Sequence, residues 1–492
     1  MTDFATRCGV QTPERQRAIE AVLQAIEAQG LEQVRVAWCD LHGFTRSKAL
    51  MAGAVKQALR SGVGMVSTLL LKDTSDRTAW PVFQPGGTDG LPGFGQANNV
   101  VLLPDPASFR VLPWRERTGW LRAQAWFADA TPVPYDSRRL LQRALDRLAA
   151  HGYGLRCGLE VEFHIYRITG TEAQTDPHRA AWPGEPPEVA MIHPGYQLLS
   201  EAWLDRADEP LRIVQRTAQA LGLPLLSLEA EMGPSQVEAV FDVTDALTAA
   251  DQMVLFRNAV KMALRDAGYH ATFMCRPPFA HIMSSGWHLH QSLSSLATGA
   301  NAMVRTEPLA GSTARDARHT LSDVGAHYLA GLLEHARGMA VFCTPTANGY
   351  ARFRPHALAP QSVQWGRDNR GAMLRVIGGA NDPATRIENR IGESAANPYL
   401  YLAAQIEAGL DGIERRLTPP PATEDPYGAQ ATPLPASLGE ALDALQADTV
   451  LAGRIGADWV AYLTQIKRLE WQRLRDADDP DAFQRREYFS RF

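Results

Sequence analysis

Cysteine is scarce in this chain: five residues in 492, at Cys8, Cys39, Cys157, Cys275 and Cys343. They are odd in number and far apart, with no Cys-x-x-Cys pair. Neither a disulfide framework nor a thiolate zinc site is expected, and a reducing cytoplasm is the expected location. Long apolar runs are missing too. No stretch approaches the roughly 18 residues that a spanning helix needs, so no membrane role is expected. The first residues, MTDFATRCGV, have no basic stretch leading into an apolar core, and no signal peptide is expected. Nor does charge of one sign dominate: 49 Lys and Arg stand against 54 Asp and Glu, a net charge of −5. Without a basic excess or stripe, nucleic acid is not an expected partner. No GxxxxGK[ST] motif occurs, so any nucleotide phosphates must be held without a P-loop.

What is present is ordinary globular composition, 45% hydrophobic and 21% charged, with enough chain for a large core. Residues 14–29 have the spacing of an amphipathic helix, and Val34–Trp38 alternates as a strand. Residues 76–98, rich in Gly, Pro and Asn, form a long loop. VVLLPDP and Leu121–Phe127 are further strands. Two prolines within Asp129–Asp136 mark a boundary, giving domains at 1–130 and 131–492. Asp136 or Ser137 can cap a helix over 138–151 that Gly152 stops. Helix is expected again over 317–341, in two pieces, and at 436–447 and 451–476, after a Pro-rich stretch at 418–435. No repeat of 20–50 residues is visible.

Three strands carry polar residues on one face. In Gly158–Tyr166 (GLEVEFHIY), Glu160, Glu162, His164 and Tyr166 oppose Leu159, Val161, Phe163 and Ile165, because side chains alternate with a period of two. In Trp287–Leu293 (WHLHQSL), His288, His290 and Ser292 share a face. In RIENR, Arg386, Glu388 and Arg390 point together. Each alone is what a solvated sheet face, a core histidine or a surface charge ladder would show. Two further segments add to them. EAEMGPSQVE places Glu231 and Glu238 on either side of a Gly-Pro break. Residues 348–375 carry Arg352, Arg354, Arg367, Arg370 and Arg375 without a helical stripe.

Charge balance is the reason to combine them. If Glu160, Glu162, Glu231, Glu238 and Glu388 line one cavity, they cannot all stay ionised without cations. Carboxylate oxygens with one imidazole suit Mg²⁺ or Mn²⁺. Such ions beside an arginine cluster suit phosphoryl transfer from a nucleoside triphosphate.

The order of these blocks resembles the glutamine synthetase family: GLEVEFHIY, EAEMGPSQVE, SSGWHLHQSL, NGYARF…WGRDNRGAMLRV, and RIENRIGESAANPYLYLAAQIEAGLDGI. VRVAWCDLHGFTRSKAL and VVLLPDPASFRVLPW are similar to that family's small N-terminal domain. The resemblance covers essentially the whole chain. It implies an α+β fold, with an N-terminal β-grasp domain and a catalytic domain built on a curved antiparallel sheet and helices. It implies a homo-oligomer, commonly a dodecamer of two stacked hexamers, with sites between neighbouring subunits. It assigns Glu162, Glu231 and Glu238 to one ion and Glu160, His288 and Glu388 to another, in a set of two to three. His290 and Ser292 fall beside the nucleotide, and Arg375 and Arg386 on its phosphates. Arg352 and Arg390 fall around glutamate, and Arg370 at the transferring phosphoryl. The implied chemistry is phosphorylation of the γ-carboxylate of glutamate by ATP, followed by attack of an amine nitrogen.

The pattern departs from the family where ammonia is handled. Ammonia-using members carry a glutamate in a PG-x-EAP-like flap; here the stretch is PHALAP and the position is Leu358. Leucine cannot bind ammonium or take its proton, and it offers apolar surface worth roughly 25 cal/mol per Å² buried. The aspartate of a DGSS-like loop has no clear counterpart in GMVSTLLLKDTSD, where Asp73 and Asp76 are shifted. The family's NGSG becomes Met283-Ser284-Ser285-Gly286. Leu358 is therefore expected in the acceptor pocket, with an aryl or alkyl amine as acceptor. The alternatives are an ammonia-using glutamine synthetase and a non-catalytic structural or regulatory relative; against the last, all six metal-ligand positions are filled.

Overall fold

The computed structural model describes residues 3–95, 97–170, 177, 180–307, 309–353, 359–428 and 431–492. The strands, in chain order, fall into two sheets. The first draws on β1 (Gln33–Cys39), β2 (Thr45–Met51), β3 (Val63–Val66), β4 (Asn99–Pro104), β5 (Arg110–Val111) and β6 (Thr118–Trp126). Their order is β2-β1-β6-β4-β3, with β5 also on β6; β1 and β6 run parallel and every other pair is antiparallel. The helices Pro13–Ala28 and Ala52–Ser61 cover this sheet. Ile19, Val22, Ile26, Val55 and Leu59 bury themselves against Val34 and Leu121. Thr12 caps the first of these helices, its hydroxyl accepting Arg15 N, and Pro13 occupies the first turn.

The second sheet draws on β7 (Tyr153–Gly170), β8 (Glu188–Met191), β9 (Leu225–Ala230), β10 (Gln236–Asp245), β11 (Tyr269–Thr272), β12 (Gly286–Ser295), β13 (Trp365–Arg367), β14 (Leu374–Ile377) and β15 (Arg386–Glu393). Its order is β13-β14-β15-β12-β7-β10-β9, with β11 and β8 also on β7. All pairs are antiparallel except β13 with β14. The long strand β7 organises the sheet: its first half is flanked by β12 and β10, its second by β11 and β8. Its apolar face (Leu155, Cys157, Leu159, Val161, Phe163, Ile165) is fully buried. The helices Ser137–Ala150, Ala246–Asp266 and Pro398–Arg415 are packed into the same core. Helices Asp323–Glu334 and Pro398–Arg415 approach backbone to backbone: a Cβ on Gly331 would lie 2.8 Å from Gly412 N.

Asp136 caps the 137–150 helix, accepting Arg138 N at 3.0 Å and Arg139 N at 3.2 Å. Two helix expectations change. The 317–341 segment becomes helical only at Asp323, after a short 3-10 turn, and divides into Asp323–Glu334 and Ala336–Cys343. The 451–476 helix is two, Thr449–Ile455 and Ala457–Arg475, because Gly456 adopts φ +112°. The later helix reaches back to the N-terminal part: Tyr462 stacks on Trp80 at 5.9 Å, and Gln465 Nε2 donates to Ala79 O at 3.2 Å. Among the described residues no helix is long and apolar enough to cross a membrane. The five cysteines are free.

Candidate active site

The polar residues of the second sheet meet through its register. Glu162 on β7 lies opposite Glu238 on β10, and Glu238 in turn lies opposite Glu229 on β9. Glu160 lies opposite His288 on β12. His290 lies opposite Glu388 on β15, and Glu388 opposite Arg375 on β14. Six strands thus lay carboxylates, imidazoles and an arginine across one face. A bulge between β12 and β15, at Trp287–Leu289, shifts the pairing by one residue. Glu231 joins from the turn between β9 and β10, where Ser235 takes φ +59°.

Ligand atoms of Glu162, Glu231 and Glu238 all lie within 4.8 Å of one another, as do those of Glu160, Glu238 and His288, and of Glu160, His290 and Glu388. His288 Nδ1 is 3.2 Å from Glu160 Oε2 and 3.8 Å from Glu388 Oε1. His290 Nε2 is 2.9 Å from Glu160 Oε1. The histidines thus fall into overlapping groups, with His290 closing one of them beside Glu388. Burial, then the charge of Glu231, pushes Glu162 up to about 7. Burial, then Glu162, Glu160 and Glu231, pushes Glu238 up to about 10. Burial and Glu229 also raise Glu231. Burial opposes ionisation of Glu160 as well, but its contacts with His288 and His290 hold it well below the usual carboxylate range. Burial and the nearby Arg390 lower His288 to about 4, which leaves a neutral imidazole. Glu238 Oε1 is buried with no hydrogen-bond partner among the described residues. Hard oxygen donors, the neutral imidazole of His288 and an orphaned buried carboxylate oxygen form a set that fits divalent cations such as Mg²⁺ or Mn²⁺.

The arginines ring this cluster. Arg390 pairs with Glu388 Oε1, and its Nε is buried without a partner among the described residues. Arg352, 4% exposed, donates to Arg390 O at 2.8 Å and Gly392 O at 3.1 Å. Its guanidinium fills the space beside Gly286, where a Cβ would lie 2.3 Å from Nη2. Arg375 pairs with Glu388 Oε2 at 3.1 Å and with Asp368. Arg386 Nε donates to His290 Nδ1 at 3.0 Å. Ser292 follows two residues along β12, opposite Arg156 and half-buried. Arg370 is not drawn in: it lies on an exposed turn after β13 and makes no ion pair among the described residues. Leu358 and Arg354 lie outside the described residues. Of the two aspartates near the N-terminal loop, Asp73 is buried and paired with Arg473 at 3.1 Å, and Asp76 with Arg46 at 2.5 Å.

Two residues of the site escaped the motif search, Glu229 and Gln236. Each stands two positions before a singled-out glutamate, Glu231 or Glu238, so the period of two along a strand was the signal that could have found them.

Comparison with known proteins agrees with this geometry. The family model for the glutamine synthetase catalytic domain matches residues 134–486. A gamma-glutamylanilide synthase of Acinetobacter sp is 38% identical, with 99% of each chain covered. The gamma-glutamylethanolamide synthetase GlnA4 of Streptomyces coelicolor is 31% identical over 92% of each chain. Among solved structures, the one titled "Apo GmaS without ligand" superposes with a TM-score of 0.75 at 28% identity, covering 93% of this chain and 97% of that one. A helix-and-strand fold shared with solved relatives, a catalytic-domain match over most of the chain and a carboxylate–imidazole cluster on one sheet face lead to one conclusion: the chain belongs to the glutamine synthetase family.

Proposed function

We propose that the chain is an ATP-dependent ligase that joins the γ-carboxylate of glutamate to an organic amine, aryl or alkyl, through a γ-glutamyl phosphate. The observation that carries this is the close trio of half-buried Glu162 and Glu231 with buried Glu238, whose mutual repulsion and orphaned oxygen call for a dication. Glu162, Glu231 and Glu238 hold one ion, and Glu160, His288 and Glu388 another, with His290 beside them. When bound, Mg²⁺ or Mn²⁺ neutralises the triphosphate and polarises the phosphoryl group that moves. Arg352 and Arg390 orient glutamate. His290, Ser292, Arg375 and Arg386 hold the nucleotide. Arg370, on its exposed turn, meets the transferring phosphoryl group. A free carboxylate is a poor electrophile at neutral pH; as an acyl phosphate it loses inorganic phosphate when the amine nitrogen attacks, and an amide forms.

The choice of acceptor has independent support. Asp73 and Asp76 are engaged by Arg473 and Arg46 within the chain, so neither is free to hold ammonium. The Acinetobacter relative, similar along its full length, is named for an anilide. Leu358 supplies apolar surface in place of the flap glutamate. The test is phosphate release by purified protein with glutamate, ATP and Mg²⁺ in the presence of aniline, alkyl amines, ethanolamine, a polyamine or ammonia. An aryl or alkyl amine is expected to give the highest kcat/KM; release with ammonia alone would overturn the proposal. We also propose a cytoplasmic protein divided near residue 130 and assembled as two hexameric rings. Light scattering is expected to return twelve times the chain mass.

A further inference from the structure

Gln236 opens β10, opposite His164 on β7, and is 2% exposed. Its side-chain amide touches three separate parts of the site. The oxygen accepts Gly233 N at 2.9 Å, from the turn that carries Glu231. The NH₂ group lies 3.1 Å from Glu162 Oε2, 3.3 Å from Ser284 O and 3.2 Å from Ser285 Oγ. The partners fix the amide's orientation. A flipped amide would set its oxygen against a carboxylate and a carbonyl, and its NH₂ against an N–H donor. Position 233 has to be glycine for this contact: a Cβ there would lie 2.6 Å from Gln236 Oε1 and 2.8 Å from Met283 Cβ.

The consequence falls on Glu162. Its Oε2 receives two donors, Gln236 Nε2 and Gly286 N, the latter at 2.8 Å. Its Oε1 receives neither and lies 3.8 Å from His288 Nε2. We propose that Gln236 is the positioning residue of this site: it locks Glu162 Oε2, leaves Oε1 for a bound cation, and holds the Glu231 turn and the 283–286 loop in register with β7. The proposal rests on Glu162, Glu231 and Glu238 being cation ligands. Groups that orient a ligand from behind set metal affinity without touching the metal, and losing one weakens binding by about 10- to 100-fold.

The test is Mn²⁺ binding to the full-length protein without nucleotide, read by calorimetry. Gln236→Met keeps the volume and removes the amide. One Mn²⁺ site is expected to weaken at least about tenfold, with the other unchanged, while the KM for Mn²⁺ rises and the KM for the amine stays constant. In a Glu162→Gln background, Gln236→Met is expected to add nothing. An isotherm for Gln236→Met like that of the parent, or full additivity with Glu162→Gln, would overturn the proposal. If Gln236→Met does not fold, Gln236→Asn is read in the same titration, since it keeps the amide but stops one methylene short of Glu162. Glu162→Gln alone tests the ligand assignment: if it leaves the isotherm unchanged, the assignment and the proposal both fall. The identity of the amine does not enter this titration, so failure of the acceptor reading is seen separately.

Discussion

Glu162 and Glu238 stand directly opposite each other on adjacent strands of one buried sheet face. Like charges in that relation destabilise a sheet by about 0.2–1 kcal/mol, and more where water is excluded. A pair so placed holds a proton, a cation, or both in turn.

Removing the cation is therefore expected to make stability depend on pH. In metal-free protein, burial and the neighbouring carboxylates raise Glu162 to about 7 and Glu238 to about 10, from an ordinary value of 4.5. A folded-state value above the unfolded one means stability is greatest below about 4.5 and falls as pH rises through 7 toward 10. Saturating Mg²⁺ favours the deprotonated carboxylates and flattens the slope. Melting temperatures from pH 5 to 9, with EDTA and with Mg²⁺, measure both slopes; parallel curves would count against a cation at this pair.

Glu238→Gln separates stability from function. In EDTA at pH 7 the variant is expected to be more stable than the parent by on the order of 1 kcal/mol or more, since folding no longer has to protonate the opposed carboxylate. Its Mg²⁺-dependent rise in Tm is expected to shrink, and turnover to fall by about a hundredfold or more. A less stable metal-free variant would show that Glu238 contributes packing rather than repulsion.

Arg375 bridges Glu388 and Asp368. If it holds ATP phosphates, Arg375→Ala is expected to raise the KM for ATP by about tenfold or more, the weight of one charge-assisted hydrogen bond. Initial rates at varied ATP and fixed Mg²⁺ decide; an unchanged KM leaves Arg375 as a support for Glu388 alone.

The acceptor assignment is probed by Leu358→Glu, which restores a flap carboxylate. The ratio of kcat/KM for ammonia to that for an aryl amine is expected to rise by at least about tenfold, as an apolar side chain is replaced by a charge partner for ammonium. Competition assays with both acceptors measure it, and an unchanged ratio would remove Leu358 from the pocket.

Away from the cluster, His335 is 2% exposed and clamped between Asp448 at 2.7 Å and Asp411 at 3.0 Å. Burial works against its charge, but the bonds to Asp448 and Asp411 prevail and raise it above its ordinary value of 6.5. The stabilisation is thus full below about 6.5 and is lost as pH rises through the raised value. His335→Asn is expected to cost about 1.5–3 kcal/mol at pH 6, because Asp448 loses its charged partner while Asp411 keeps Arg415 at 2.8 Å. Chemical denaturation at pH 6 and pH 9 checks it: the gap between parent and variant should narrow at the higher pH.

Much of the site was legible in the chain because strand periodicity is local. Glu160 with Glu162, and His288 with His290, fall on one face from spacing alone, and Glu388 with Arg390 follows the same rule. Arg370 was equally visible as a residue, yet the turn after β13 leaves it in solvent, which its sequence neighbours could not reveal. The helix expected over 451–476 broke at Gly456, whose φ of +112° is a backbone conformation that side-chain-bearing residues rarely adopt.

The sequence by itself determined the residue types and their alternation: carboxylates and imidazoles at every second position, arginines without a helical stripe, a leucine in the flap. Only the tertiary structure decided which of them meet. Glu162 faces Glu238 and Glu160 faces His288 because strands distant in sequence pair in one register, and a shift of one residue would have turned every one of these side chains to the opposite face. The repulsion that calls for a cation arises from that pairing, since like charges interact strongly only when the fold removes the water between them.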